Sequence, residues 1–222
     1  MKRVLVVGAS RGIGLEMVRQ YRTAGDAVTA SARDEAGLAA LRTLGATPIA
    51  LDVASAESAS RPSLQIDGAG FDIVVHCPGV YGPRSDGLQP PTQAEFDAVM
   101  HTNVLGAMRV LAQLSDALAP QARIAVLSSR MGSIGARGAA NGWLYRASKA
   151  ALNSVLKDAS LVFSGRAICV SLHPGWVRTD MGGSGADLPV QTAVADMRRT
   201  IAALTPADNG RFLNHDGAAL EW

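Results

Sequence analysis

Two hydrophobic periodicities take turns along this chain. Short runs rich in Val, Ile, Leu and Ala read as strands buried on both faces, and the stretches between them carry apolar residues three and four apart, as amphipathic helices do. Strands are expected at residues 3–7, 26–31, 47–53, 71–75, 123–127, 167–172 and 210–213. Helical spacing fills 15–21 and 34–43, is weak across the small residues of 54–70, and returns at 92–118, 143–163 and 188–204. Thr92 and Glu95 have the spacing of a capping box, the run behind them is long enough for one helix or two in sequence, and Gly165 stands where the helix from Trp143 should stop. Six or seven strands alternating with helices predict an α/β fold, a single doubly wound parallel sheet with helices on both faces. No linker, repeat or low-complexity break divides residues 1–222, so one domain is expected.

Composition sharpens this picture by exclusion. With 48% hydrophobic and 18% charged residues, 222 positions are ample for a large core. The formal charge is only +2 and no basic block stands out, which argues against nucleic acid or an anionic membrane as a partner. The apolar run behind Met1-Lys2-Arg3 ends at Gly8, so it reads as a strand and not a leader. No run approaches the roughly 18 apolar residues of a spanning helix, and a soluble, cytoplasmic protein is expected. Cys77 and Cys169 lie in or beside apolar runs, and His76, His101, His173 and His215 are scattered, so reduced thiols and no metal site are expected.

Candidate chemistry begins at the first strand. Gly8-Ala9-Ser10-Arg11-Gly12-Ile13-Gly14 separates that strand from a helix, where glycines admit a diphosphate close to the backbone and the free amides of the helix start supply donors. The spacing is Gly-x-x-x-Gly-x-Gly, which departs from the Gly-x-Gly-x-x-Gly fingerprint. The second strand ends in Ser31-Ala32-Arg33 without the acidic residue that would bond a free ribose 2′-hydroxyl, while Arg11 and Arg33 offer forks suited to a 2′-phosphate. NADP(H) is therefore favoured, with NAD(H) as the second option. Tyr145 and Lys149 stand four apart on the helix from Trp143 and point the same way. Such a pair is either an ordinary surface contact or a phenol pulled towards neutrality by an ammonium, a usable general acid or base. Asn103, inside an apolar run, is either a bonded core amide or part of a site.

Read in order, Gly8-x-x-x-Gly12-x-Gly14, Asp52, Asn103-x-x-Gly106, Ser129, Tyr145-x-x-x-Lys149, and Pro174-Gly175 followed by Thr179 resemble the short-chain dehydrogenase/reductase family from Val4 to Trp222. Ser128-Ser129-Arg130-Met131-Gly132-Ser133-Ile134-Gly135, with Tyr145-Arg146-Ala147-Ser148-Lys149 after it, resembles the C-factor-like and sniffer-like carbonyl reductase branch. The resemblance implies a Rossmann-like fold and NADPH-dependent, reversible reduction of a small-molecule aldehyde or ketone to an alcohol. A regulatory NADP-binding protein of C-factor type, with little turnover, is the alternative. By the same likeness Tyr145 exchanges the proton at the substrate oxygen, Lys149 tunes it, Ser129 orients the carbonyl and Asn103 supports a water-linked proton path. Cofactor binding falls to Gly8, Ser10, Arg11, Gly12, Ile13, Gly14, Arg33, Asp52, Val53, Gly79, Asn103, Tyr145, Lys149, Pro174, Gly175, Val177 and Thr179.

Two departures stand against the family pattern. His76-Cys77-Pro78-Gly79 replaces an Asn-Asn-Ala-Gly-like turn, and Pro78 has no amide proton. Ser129 and Tyr145 lie 16 residues apart, so Ser128 and Ser133 stand as alternatives to Ser129. Met131, Trp143, Trp176, Met181 and Leu188 either line a pocket for a hydrophobic or aromatic carbonyl or are core and rim residues. Residues 182–185 read as a short glycine lid, and the faces around Val104 and Val155 suit either the sheet or a homodimer or homotetramer interface.

Overall fold

A computed structural model describes residues 1–60 and 66–222. Seven parallel strands form one sheet: β1 Arg3–Val7, β2 Ala27–Ala32, β3 Thr47–Ala50, β4 Phe71–His76, β5 Leu118–Leu127, β6 Ala167–His173 and β7 Arg211–Asn214. Their spatial order is β3-β2-β1-β4-β5-β6-β7, so the chain winds outward from β1 in one direction and then in the other. Helices α1 Gly12–Thr23 and α2 Glu35–Thr43 join the first three strands. Helix α3 Ala56–Ser60 falls within the weak helical stretch expected at 54–70, of which 61–65 lie outside the described residues. Helices α4 Gln93–Met100 and α5 Gly106–Ala112 are joined by a π-turn, His101–Leu105, and α6 Trp143–Val162 and α7 Val190–Ala203 follow.

The sheet is buried on both faces, which is why its strands are continuous apolar runs. Leu41, Met17, Met197 and Ile201, all 0% exposed, pack with Val4 and Val6 on one face. Leu152 and Leu156, also 0% exposed, pack with Val74, Ile124 and Val126 on the other. Val104 is buried, and Val155 is partly buried against this second cluster.

Two boundaries differ from the expected ones. β3 stops at Ala50 because the chain turns at once: Ala54 donates its amide to the Asp52 carboxylate and the Asp52 amide bonds the Ser58 hydroxyl. Leu118, expected at a helix end, instead opens β5, paired with Phe71 ahead of a register shift. The carbonyls of Asp116 and Ala117 accept from Gly68 and Phe71, which draws the segment onto β4. Among the described residues no helix is long and apolar enough to cross a membrane.

Because Leu152 anchors α6 to the sheet with no exposed surface, Leu152→Ala is expected to cost about 2–5 kcal/mol of stability. Urea unfolding followed by circular dichroism checks this; a loss well below that range would mean that the helix settles into the gap.

Candidate active site

The winding direction changes at the β1/β4 pair, and such reversals leave a crevice beyond the strand ends. The loops that follow β1 and β4 meet there. Gly8 (φ +75°) lies under Pro78, so closely that an added Cβ would come within 2.8 Å of the proline Cγ. A Cβ on Gly14 would lie 2.3 Å from the Gly8 carbonyl oxygen. No side chain caps the start of α1, so its first amides remain available to an anion. Ser31 fixes the turn to β2 by accepting from the Gly8 amide at its hydroxyl (2.9 Å) and from the Ala9 amide at its carbonyl (2.7 Å).

The cleft encloses about 450 Å³. Its walls carry Gly8, Ser10, Arg11, Gly12, Ile13, Gly14, Arg33, Asp52, Val53, Gly79, Tyr145, Lys149, Pro174 and Thr179 from the set named in the sequence. At the β2 end Arg33 is exposed, while the adjacent Asp34 is spent as the α2 cap, accepting from the Gly37 amide at 2.8 Å. Arg11 reaches across the mouth to Asp180, Nη1 to Oδ2 at 2.8 Å, with both side chains largely in solvent.

At the opposite end α6 carries the phenol and the amine. Tyr145 is 8% exposed and Lys149 3%, and Lys149 Nζ donates to the Leu127 carbonyl at 2.9 Å while lying 5.8 Å from the Tyr145 ring centroid. Burial pushes the Tyr145 phenol up to about 12, against a lowering hydrogen bond with Ser129 and with a further rise from Tyr81. Burial also draws the Lys149 ammonium down to about 8, a shift that Cys77 opposes. The downward pull of Lys149 expected from the sequence is not among the causes that set the phenol, and burial is the largest of them.

Among the three candidate serines, geometry separates the roles. Ser129, buried and accepting from the Met131 amide at 3.1 Å, is the serine that lowers the Tyr145 phenol. Ser133 is occupied elsewhere, donating to the Trp222 carbonyl and accepting from the Ala136 amide. Ser128 lines the cleft with its buried hydroxyl unpartnered among the described residues.

Asn103 sits in the π-turn, 0% exposed, behind the wall of the cleft. Its Nδ2 donates to the Val80 carbonyl and to Ser148 Oγ, both at 2.9 Å, and its Oδ1 accepts from the Val80 amide at 2.8 Å. Both amide donors are thus committed to protein, and the side chain works as a bolt on the loop after β4. Like Asn103, three more residues named from the sequence, Ser129, Gly175 and Val177, do not form part of the cleft wall. Val177 turns into the core beneath α7, and Gly175 (φ +85°) forms a turn where a Cβ would strike Leu188 at 2.5 Å.

Of the apolar pocket candidates, Met181 lines the cleft, whereas Leu188 bridges Val177 and packs against the core. Trp176 is exposed and donates from Nε1 to the Gly182 carbonyl, folding the glycine segment back on itself. Sequence reasoning passed over Thr102, Arg178 and Asp180 on the cleft wall and Tyr81 against Tyr145. Tyr81 had one signal, an aromatic in the glycine- and proline-rich loop that closes the reversal.

The sequence model of the short chain dehydrogenases matches residues 2–187. The C-signal protein of Myxococcus xanthus is 36% identical over 154 residues, 68% of this chain and 92% of that protein. The carbonyl reductase Sniffer of D. melanogaster superposes with a TM-score of 0.91 at 29% identity, covering 100% of both chains. A carbonyl reductase from Pseudomonas aeruginosa PAO1 in complex with NADP does so at 0.88 and 30%, again over 100% of both. Strand order, glycine turn and helix-borne tyrosine and lysine agree with that match, and the chain belongs to the short-chain dehydrogenase family.

Proposed function

We propose that the protein is an NADP(H)-dependent carbonyl reductase, converting a small aldehyde or ketone to an alcohol and running in reverse as an alcohol dehydrogenase. The observation that carries this reading is the convergence of Tyr145 and Lys149 on one end of a cleft whose other wall is the glycine turn, with the buried Ser129 near enough to Tyr145 to lower its phenol. The dinucleotide fits that turn: Gly8 and Gly14 leave backbone where side chains would collide, and uncapped amides face the opening. Arg33, beside a carboxylate already engaged as a cap, and Arg11 would take the 2′-phosphate, and Thr179 the carboxamide. The NADP bound by the Pseudomonas aeruginosa relative supports the same preference.

When bound, the nicotinamide supplies the hydride for the carbonyl carbon. The chain handles the oxygen. Tyr145 gives its phenolic proton to that atom as negative charge builds there, and the Ser129 hydroxyl donates to it. A phenol held up at about 12 is fully protonated near neutrality, as an acid for reduction must be. Lys149, charged below about 8, stabilises the tyrosinate left behind. Ser129, Tyr145 and Lys149 together argue against a regulatory protein without turnover.

Tyr145→Phe removes the proton, and kcat for an aromatic aldehyde is expected to fall by about 10²–10⁴-fold while NADPH still quenches protein fluorescence; near-normal turnover would overturn the mechanism. Arg33→Ala is expected to lower the NADPH-to-NADH ratio of kcat/KM by about tenfold to a hundredfold, the worth of one charge-assisted bond. Parallel assays at 340 nm with both nucleotides read this, and an unchanged ratio would assign the 2′-phosphate elsewhere. Because Lys149 loses its proton as pH rises through about 8, reductive kcat/KM is expected to decline above that pH. In Lys149→Arg, whose guanidinium stays charged, the decline is expected to vanish, and its persistence would assign it to another group.

A further inference from the structure

Beside the Tyr145 phenol lies a second one that the mechanism above does not use. The ring of Tyr81 stacks on that of Tyr145 with centroids 4.6 Å apart and an interplanar angle of 23°. The Arg84 guanidinium covers Tyr81 at 5.4 Å from its centroid, and Lys149 lies over the Tyr145 ring. Each ring of the stacked pair therefore has a cation near its face. Offset aromatic pairs at this separation attract one another beyond the area they bury, and each ring accepts a cation at its face.

The backbone around Tyr81 is fastened at three points. Asn103 grips both the amide and the carbonyl of Val80. Gly82 (φ +76°) sits so close to Val99 that a Cβ would lie 2.5 Å from its Cγ2. Gly142, the residue before α6, donates its amide to the Ser85 carbonyl at 2.9 Å, and a Cβ there would lie 2.4 Å from Tyr81 Oη. A loop fastened so closely on both sides of one aromatic residue holds its ring in one place.

We propose that Tyr81 is a positioning residue for the reaction: its ring, bolted through Val80 to Asn103, fixes the plane of the Tyr145 ring and holds the phenolic oxygen at Ser129. Asn103 secures the same tyrosine a second way. Its Nδ2 bonds Ser148 Oγ, which donates to the Tyr145 carbonyl at 2.8 Å. One buried amide thereby references the backbone of Tyr145 directly and its ring through Tyr81. Two constraints that share one anchor suit a proton donor that must meet a substrate oxygen within a hydrogen bond's reach.

The inference rests on Tyr145 being the proton donor, and the test separates the two. Wild type, Tyr81→Leu, Tyr81→Phe and Tyr145→Phe are compared with 4-nitrobenzaldehyde and NADPH, measuring kcat, KM, the solvent deuterium isotope effect on kcat and NADPH affinity by fluorescence. Tyr81→Leu is expected to lower kcat by about three- to tenfold, the worth of one aromatic stack, and to raise the isotope effect, with NADPH affinity unchanged. Tyr81→Phe keeps the ring and is expected to restore both. Unchanged kcat and isotope effect in Tyr81→Leu, with Tyr145→Phe inactive, would overturn the positioning role and leave the mechanism standing. An active Tyr145→Phe would remove the mechanism and the inference together. A fall in NADPH affinity equal to the fall in turnover, or a loss of melting temperature in both Tyr81 variants, would assign Tyr81 to folding instead.

Discussion

An amide with no exposed surface must find partners inside the protein or cost the fold the price of its desolvation. Asn103 is such a group, and it finds them on two different elements: the loop after β4 and the helix α6. The π-turn that carries it inserts one extra residue into the ladder between α4 and α5, which aims the side chain at that junction. Release of this contact would free Val80 from the β4 side and Ser148 from the helix side, and the cleft would lose the agreement between its walls. Glycines with no room for a side chain then bring the remaining walls together, Gly8 under Pro78 and Gly132 against the backbone of Lys149.

That close assembly sets the electrostatics. Tyr145 and Lys149 are nearly devoid of water, so burial works against the charged form of each, raising the phenol and lowering the ammonium. The two shifts run in opposite directions, to about 12 and about 8, and leave a neutral acid beside a readily titrated base. His76 on β4 follows the same rule: buried beside Lys149, it is drawn down to about 3 and stays neutral at physiological pH. A histidine where the family pattern has asparagine therefore adds no charge to the site.

Much of this was legible along the chain. Periodicity marked every strand of the sheet, because a strand covered on both faces must be apolar at consecutive positions, and β4 and β6 are. The Tyr145/Lys149 pair followed from helical spacing, and the glycine turn from its place between strand and helix. Where the reading failed, the cause was tertiary. Leu118 joined β5 because the neighbouring carbonyls at 116 and 117 were claimed by residues near β4, far off in the chain. The bridge between Val177 and Leu188, which buries the valine side chain, is likewise a contact between segments that no local pattern marks.

The amino-acid order thus determined which elements form, in what alternation, and which two side chains share a helix face, since each depends on neighbours a few residues apart. The tertiary structure alone decided that Ser129 and not Ser133 acts on the phenol, that Asn103 clamps Val80, that Tyr81 lies on Tyr145, and that burial is the largest influence on both the phenol and the ammonium. Those outcomes depend on distances between segments 16 to 89 residues apart in the chain, and on the water excluded when they close; no local pattern encodes either.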